Sequence, residues 1–272
     1  MNKNEFLNEI TMSMIDKLST GTLPWRRSWK TGIPANFISK RSYNGINFLS
    51  LILKDYPSPY YLTYLQCKER SGTINKGSSG SPVIYWEVKE FPSTNEEEKQ
   101  KRVPIVRLSY VFNLSQTSLY KENIPAKLLS CEELIAQMPV KPIIKHNIRG
   151  CYYSPVKDYI SIPKIEDFET KEEYYSALFH EMIHWTSHPT RLNRNASGRY
   201  GDNEYAYEEL VAELGSAYLC SLCGISNVTF NNHASYIDGW LRLMKSDTNI
   251  LLKASTDAGK AIRMLTNNNE TG

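Results

Sequence analysis

His180-Glu181-Met182-Ile183-His184 is the stretch from which the rest of this chain is read. It sits in a segment, about Lys171 to Ser187, with Tyr175, Leu178, Phe179, Met182 and Ile183 at helical spacing. Thr170 followed three residues later by Glu173 supplies a capping box at its start. Histidines four apart stand one above the other on a single helical face, so both imidazoles can reach one Zn²⁺. Glu181 beside them can take a proton from water. The pattern is that of a metal-dependent hydrolase.

A catalytic zinc needs a third protein ligand and an open position. A second amphipathic segment, Glu204 to Cys223, has Tyr207, Leu210, Val211, Leu214, Tyr218 and Leu222 as its apolar face and Gly224 at its expected C-terminal cap. Within it, Glu209 and Glu213 are four residues apart. Glu209 is assigned to the metal, and Glu213 to a hydrogen bond with the outer ring nitrogen of a ligand histidine. Glu208 is the alternative ligand and otherwise a solvated helix charge. His188 extends the four-residue recurrence, but residues eight apart on a straight helix are separated by about 12 Å. Pro189 also drives His188 out of helical dihedrals, which leaves it as a structural or substrate-side group. Thr190 stands where a third histidine on the same segment would fall. Tyr200 or Tyr205, on the polar stretch between the two helices, is a candidate donor to an oxyanion.

With 272 residues and 41% hydrophobic content the chain can bury ordinary cores. It has no run of 18 apolar residues, and Glu5, Glu9 and Asp16 interrupt the first twenty, so no membrane segment is expected and the location is expected to be cytoplasmic. Five cysteines are too sparse for a disulfide framework, and Cys220 and Cys223 read as buried free thiols on one helix. Charge is unevenly divided. Residues 1–125 hold 17 Lys/Arg against 11 Asp/Glu, a net of +6, and residues 126–272 hold 15 against 18, a net of −3. The first half is a candidate for nucleic acid.

That half begins with an amphipathic helix over Asn4 to Ser19, closed by Gly21. Cations then alternate with aromatic and amide residues: Trp25, Arg26, Arg27, Trp29 and Lys30, then Arg41, Tyr43 and Asn44. Such a mixture suits unpaired strands, whose bases stack on aromatic faces while phosphates attract cations. Tyr60 to Lys68 reads as strand or helix. A glycine and serine loop from Ser71 to Ser81 presents Lys76 but lacks the P-loop pattern, which excludes nucleotide hydrolysis of that type. Val83 to Val88 and Val103 to Asn113 read as strands of a hairpin whose tip, Ser93 to Arg102, is a charged loop. Tyr120 to Ser130 reads as a linker, Cys131 to Met138 as a short helix, and Gly150 to Pro163 as two short strands about a turn. Asn231 to Met244 and Asn249 to Leu265 read as amphipathic helices, and Asn267 to Gly272 as a disordered end.

Pro24-Trp25-Arg26, Tyr43-Asn44-Gly45-Ile46-Asn47, Lys76-Gly77 and Val111-Phe112-Asn113 occur in that order. They resemble the N-terminal domain of the ArdC antirestriction family, a module also seen at the front of some plasmid primases. His180 to His184, Trp185-Thr186-Ser187-His188-Pro189-Thr190-Arg191-Leu192-Asn193-Arg194 and Glu208 to Leu214 resemble that family's zincin-like metallopeptidase domain. The resemblance covers nearly the whole chain. It implies an α+β fold: a small basic α+β DNA-binding domain over 1–125, then a mainly helical zincin-like metallopeptidase domain over 126–272. It also implies an antirestriction protein of a conjugative or mobile element, which binds incoming single-stranded DNA and carries a metallopeptidase site. One Zn²⁺ per chain is expected, with Mn²⁺ or Co²⁺ as alternatives in vitro. The peptide or protein substrate is unknown, a host restriction component being one candidate, and a strand edge beside the metal helix would hold it. A protein that coats DNA and carries an idle metal site is the alternative. A primase fragment is disfavoured, because no nucleotide-polymerising carboxylate cluster is recognisable.

Overall fold

A computed structural model describes residues 1–26, 32–91, 101–121, 128–147, 150–194, 199, 201–227 and 233–266, with backbone alone for 86, 88–91, 101–104 and 233–235. Helix α1 (Lys3–Ser19) starts at a reciprocal cap between Asn2 and Glu5 and buries Phe6, Leu7, Ile10, Met14 and Leu18. Strand β1 (Ala35–Asn36) and helix α2 (Gly45–Ile52) follow. Tyr60 to Lys68, read as strand or helix, is both: β2 (Tyr60–Thr63) runs into α3 (Tyr64–Glu69), and Thr63 caps the helix at the junction. Strands β3 (Ser81–Phe91) and β4 (Lys101–Asn113) pair antiparallel from Ser81 against Val111 to Phe91 against Lys101. The expected hairpin is therefore present; of its expected tip, Ser93 to Arg102, Lys101 and Arg102 belong instead to β4, and the rest lies outside the described residues. The sheet order is β1-β2-β4-β3, with β1 parallel to β2. On the outer edge at β3, the Asn47 amide pairs with the Ile84 backbone, accepting from its N–H at 2.8 Å and donating to its carbonyl at 2.6 Å. That occupies one residue of an edge that would otherwise be open to another strand.

The second half opens with α4 (Cys131–Gln137) and a sheet of three short strands, β5 (Ile143–His146), β6 (Tyr152–Ser154) and β7 (Tyr159–Ile162), in the order β5-β7-β6. β6 and β7 form the expected turn-linked pair, and β5 adds parallel to β7. Four helices complete the described residues: α5 (Lys171–Trp185), α6 (Asn203–Cys223), α7 (His233–Ser246) and α8 (Ile250–Thr266). Among those residues no helix is long and apolar enough to cross a membrane. The linker segment 122–127, Tyr200 and residues 267–272 lie outside the description.

α5 and α6 carry the motifs and pack directly on one another. Gly215 permits the close approach, because a Cβ at that position would stand 2.6 Å from Ile183 Cδ1. α1 and α2 pack against α7 and α8, so one apolar core contains Phe6, Trp25 and Phe48 from the first half together with Phe179, Tyr218 and Trp240 from the second. Trp25 meets Trp240 edge to face at 5.6 Å, and Phe48 meets Tyr218 at 5.5 Å. The first half is thus seated on the back of the motif-bearing helices.

Candidate metal centre

The capping box at Thr170 and Glu173 forms as the spacing predicts and fixes the register of α5. Its two motif histidines point their Nε2 atoms at one spot, 3.1 Å apart. Tetrahedral ligands at about 2.0–2.1 Å from a zinc stand about 3.3 Å from each other. Glu209 on α6 reaches the same spot, with carboxylate oxygens 3.4 Å from His180 Nε2 and 3.6 Å from His184 Nε2. One donor atom from each of the three residues lies within 4.8 Å of the others. Two nitrogens and one carboxylate, converging from two rigid helices, suit a divalent ion with positions left for water and substrate.

The outer nitrogens fit as well. A histidine coordinates through one nitrogen when its other N–H is held by an acceptor. His184 Nδ1 lies 3.2 Å from Glu208 Oε1, and His180 Nδ1 lies 3.7 Å from Glu213 Oε1, an electrostatic contact longer than a hydrogen bond. Both glutamates are buried. Glu208 is far from a solvated charge. Arg194 donates to both its oxygens, at 3.0 and 2.8 Å, and also donates to the Ile183 carbonyl and Thr186 Oγ1 where α5 ends. Glu213 accepts from the indole Nε1 of Trp25 at 2.8 Å.

The electrostatics follow from this crowd of carboxylates. Burial alone would lower the pKa of His180, but the hydrogen bond and charge of Glu209, with Glu181 and Glu213 behind, outweigh it and lift the group to about 9. His184 is raised for the same reasons, burial being outweighed chiefly by Glu209 and Glu208. Burial would raise Glu209, yet the two imidazoles bring it down to about 2, and His184 and Arg194 likewise hold Glu208 below the usual carboxylate range. Without an ion the centre is a network of paired charges.

Glu181, 8% exposed, lies beside the ligand cluster. Burial, with the negative charge of Glu181 second, pushes the Cys151 thiol just ahead of β6 up to about 12. Tyr205 lies 3.1 Å from the Tyr236 hydroxyl, and burial and the Glu209 charge keep its phenol protonated.

Residues 129–257 match the zincin-like metallopeptidase family, and residues 4–112 match the N-terminal domain of the anti-restriction factor ArdC. The metal-free crystal structure of antirestriction protein ArdC from the R388 plasmid is 33% identical, with a TM-score of 0.77 over 95% of each chain. Its Mn(II)-bound structure is 31% identical, with a TM-score of 0.77 over 98% of each. The chain belongs to the ArdC family. Relatives of this ArdC-family chain include a DNA primase TraC from Escherichia coli, 29% identical over 95% of this chain but only 27% of that protein. A second TraC from the same organism is 26% identical over 95% of this chain and 20% of its own length, so the chain spans roughly a quarter of these relatives. The uncharacterized protein y4eC of Sinorhizobium fredii (strain NBRC 101917 / NGR234) is 28% identical over 93% of this chain and 89% of that one.

The residues expected to face DNA divide sharply. Trp25 is a correction: it is fully buried, with its ring against Trp240 and its N–H on Glu213, so it has no face for a base. An aromatic followed directly by two arginines reads as surface in the sequence, but Leu23 and Trp25 both join the apolar core. Arg26 is half-buried within Coulombic range of Glu213. Tyr43 is partly covered, edge-on to Tyr61 at 6.2 Å, and Asn44 occupies the N-cap position of α2. Arg41 and Lys76 are exposed. Arg27, Trp29 and Lys30 lie outside the described residues. His188 is bonded locally to Thr190. Arg191 stacks on Trp185 at 3.9 Å and pairs with Asp158 and Tyr153, tying the β6–β7 turn to the end of α5.

Proposed function

We propose that this ArdC-family chain protects incoming DNA of a mobile element from host restriction, binding it single-stranded through the basic half and acting as a metallopeptidase through the other. The observation that carries the second part is the convergence of His180, His184 and Glu209 from two helices, with a glutamate behind each histidine and buried Glu181 alongside. In this reading those three residues hold one divalent ion, zinc by preference and manganese or cobalt as alternatives. When bound, the ion supplies Lewis acidity that polarises a carbonyl and acidifies water. Glu181 accepts the proton as general base and delivers it to the leaving amine. Glu208 and Glu213 fix the imidazole tautomers, and the Tyr205 phenol is a donor for a developing oxyanion. β6 is an edge strand that packs against α5, the helix carrying His180, Glu181 and His184, so an extended peptide added to that edge would pass the ligand cluster. The substrate class is protein, a restriction component being the proposed target, and the proposed location is the cytoplasm.

The DNA-facing group consists of Arg27, Trp29, Lys30, Arg41 and Lys76. Lys40 belongs with it: its ammonium rests over the rings of Phe37 and Tyr60 at 4.4 and 4.2 Å.

A second reading keeps DNA coating and makes the centre idle. Glu181→Ala separates the two. Metal content and single-strand affinity are expected to stay within about twofold, because Glu181 is neither ligand nor DNA contact, while peptide hydrolysis falls at least about 100-fold. If antirestriction in a plasmid-transfer assay survives at the wild-type level, the enzymatic account fails and the coating account stands.

A further inference from the structure

Glu213 has an unusual supporter. It sits in the middle of α6, 4% exposed, and a buried carboxylate is costly unless both its oxygens are occupied. Oε1 faces His180 Nδ1 at 3.7 Å, and Oε2 accepts from Trp25 Nε1 at 2.8 Å. Trp25 is 188 positions earlier in the chain and lies outside the 129–257 segment that matches the metallopeptidase family. A residue needed only to fill the core between α6 and α7 would not require an N–H aimed at a charge, and a phenylalanine would pack there.

We propose that Trp25 is a positioning residue of the metal centre: its indole N–H holds the Glu213 carboxylate so that the free oxygen meets His180 Nδ1, which leaves the His180 Nε2 lone pair for the ion. The inference rests on the reading of His180, His184 and Glu209 as the ligand set. Its consequence is that the two family-matched segments share one site, because the outer layer of the metal centre is completed from the N-terminal side. His184 has no such dependence. Its glutamate is held by Arg194, from the segment that links α5 to α6.

The test is Zn²⁺ affinity of the full chain, measured by competition with a chromophoric chelator, alongside the melting temperature of the metal-free protein. Trp25→Phe is expected to weaken zinc binding about tenfold, the lower range for losing an outer partner of a ligand. Glu213→Gln should weaken it comparably. The double variant should be no weaker than the worse single, because both break one chain of contacts. A purely structural tryptophan would lower the melting temperature and leave zinc affinity within twofold, which overturns the proposal, as would losses that multiply in the double variant. If Trp25→Phe does not fold, benzothienylalanine at position 25 replaces the N–H by sulfur at nearly constant volume. Unchanged zinc affinity there overturns the proposal, and a tenfold loss supports it. A wild-type chain that binds no zinc or other divalent ion would instead remove the ligand-set reading, so the two failures are distinguishable.

Discussion

Glu208 and Glu213 lie on the same helix, each buried behind a motif histidine, yet they are held by opposite chemistry. Glu208 is gripped by a guanidinium that also closes the end of α5, so its charge is balanced within the second half. Glu213 is held by a neutral indole N–H from the first half, with Arg26 in Coulombic range. The first arrangement makes folding depend on the pair. The second lets the metal site depend on how the two halves are seated.

The largest effect that separates them is on stability. Arg194→Met is expected to cost about 3–5 kcal/mol, because it leaves the Glu208 carboxylate buried beside His184 with its main counter-charge gone. Trp25→Phe should cost less, since a neutral donor to one oxygen is lost while the ring packing mostly remains. Urea denaturation of the metal-free proteins measures both. If Trp25→Phe proves the more destabilising, the indole matters chiefly as core and the contrast between the two arms collapses.

An intermediate effect lies in pH. His180 in the metal-free protein titrates near 9, raised above its ordinary 6.5 because the carboxylates outweigh burial. Its pairing with Glu209 therefore contributes fully below about pH 6.5 and is lost as pH rises through about 9. Glu209, depressed to about 2 from 4.5 despite burial, contributes above about pH 4.5 and loses that only as pH falls through about 2. The paired, metal-free centre is thus most stable between about pH 4.5 and 6.5. A metal needs the imidazoles unprotonated, so each displaced proton should add about 1.4 kcal/mol of metal affinity per pH unit in the window from 6.5 to 9. The rise in melting temperature on adding zinc should accordingly be larger at pH 8.5 than at pH 6.5. A pH-independent rise would mean that His180 is neutral before metal arrives.

What could be read from the chain alone follows the locality of the causes. Thr170, Glu173 and the apolar stripe from Tyr175 to Ile183 act within one helix, and that helix forms almost where its spacing predicts, ending at Trp185 rather than Ser187, where Arg194 and Arg191 donate to the Ile183 and Trp185 carbonyls. Glu208 could not be told from a surface charge, because its burial is set by Arg194 and His184, which arrive from separate segments. β5 is not legible in the sequence for a related reason, its partner β7 being paired in parallel across an intervening strand. α2 is not legible in the Tyr43 to Asn47 stretch, whose aromatic and amide residues point to nucleic acid instead. Gly45 has a φ of +55° and opens a helix of 8 residues, too short to show a convincing period. Trp25 is the sharpest case, since two arginines follow it directly in sequence while its neighbours in space are Trp240 and Glu213.

The smallest effect concerns four cations of the first half that contrast with Arg194 in being exposed and in having, among the described residues, no carboxylate within ion-pair distance. Lys40, Arg41, Arg70 and Lys76 are of this kind. Burial against the aromatic rings and, second, the charge of Arg70 pull the Lys40 ammonium below its usual pKa, so two cations lie within reach of one another's charge. Lys40 also adopts a φ of +60°, a backbone conformation uncommon for a lysine, in a turn pinned by the Asn36 side chain. Removing Arg194 should be felt in folding, whereas removing any of these four should leave stability within about 0.5 kcal/mol. If they contact phosphates, each alanine variant lowers the slope of log affinity against log salt by about 0.7 for single-stranded DNA. Fluorescence titrations of an unstructured oligonucleotide across a salt series measure that slope. Unchanged slopes for Lys40→Ala and Arg70→Ala, with a reduced slope for Arg27→Ala or Lys30→Ala, would move the DNA track from this turn to the segment after Trp25. Binding of DNA would then bear directly on the stretch that holds Glu213, and the two halves would be coupled through a single tryptophan.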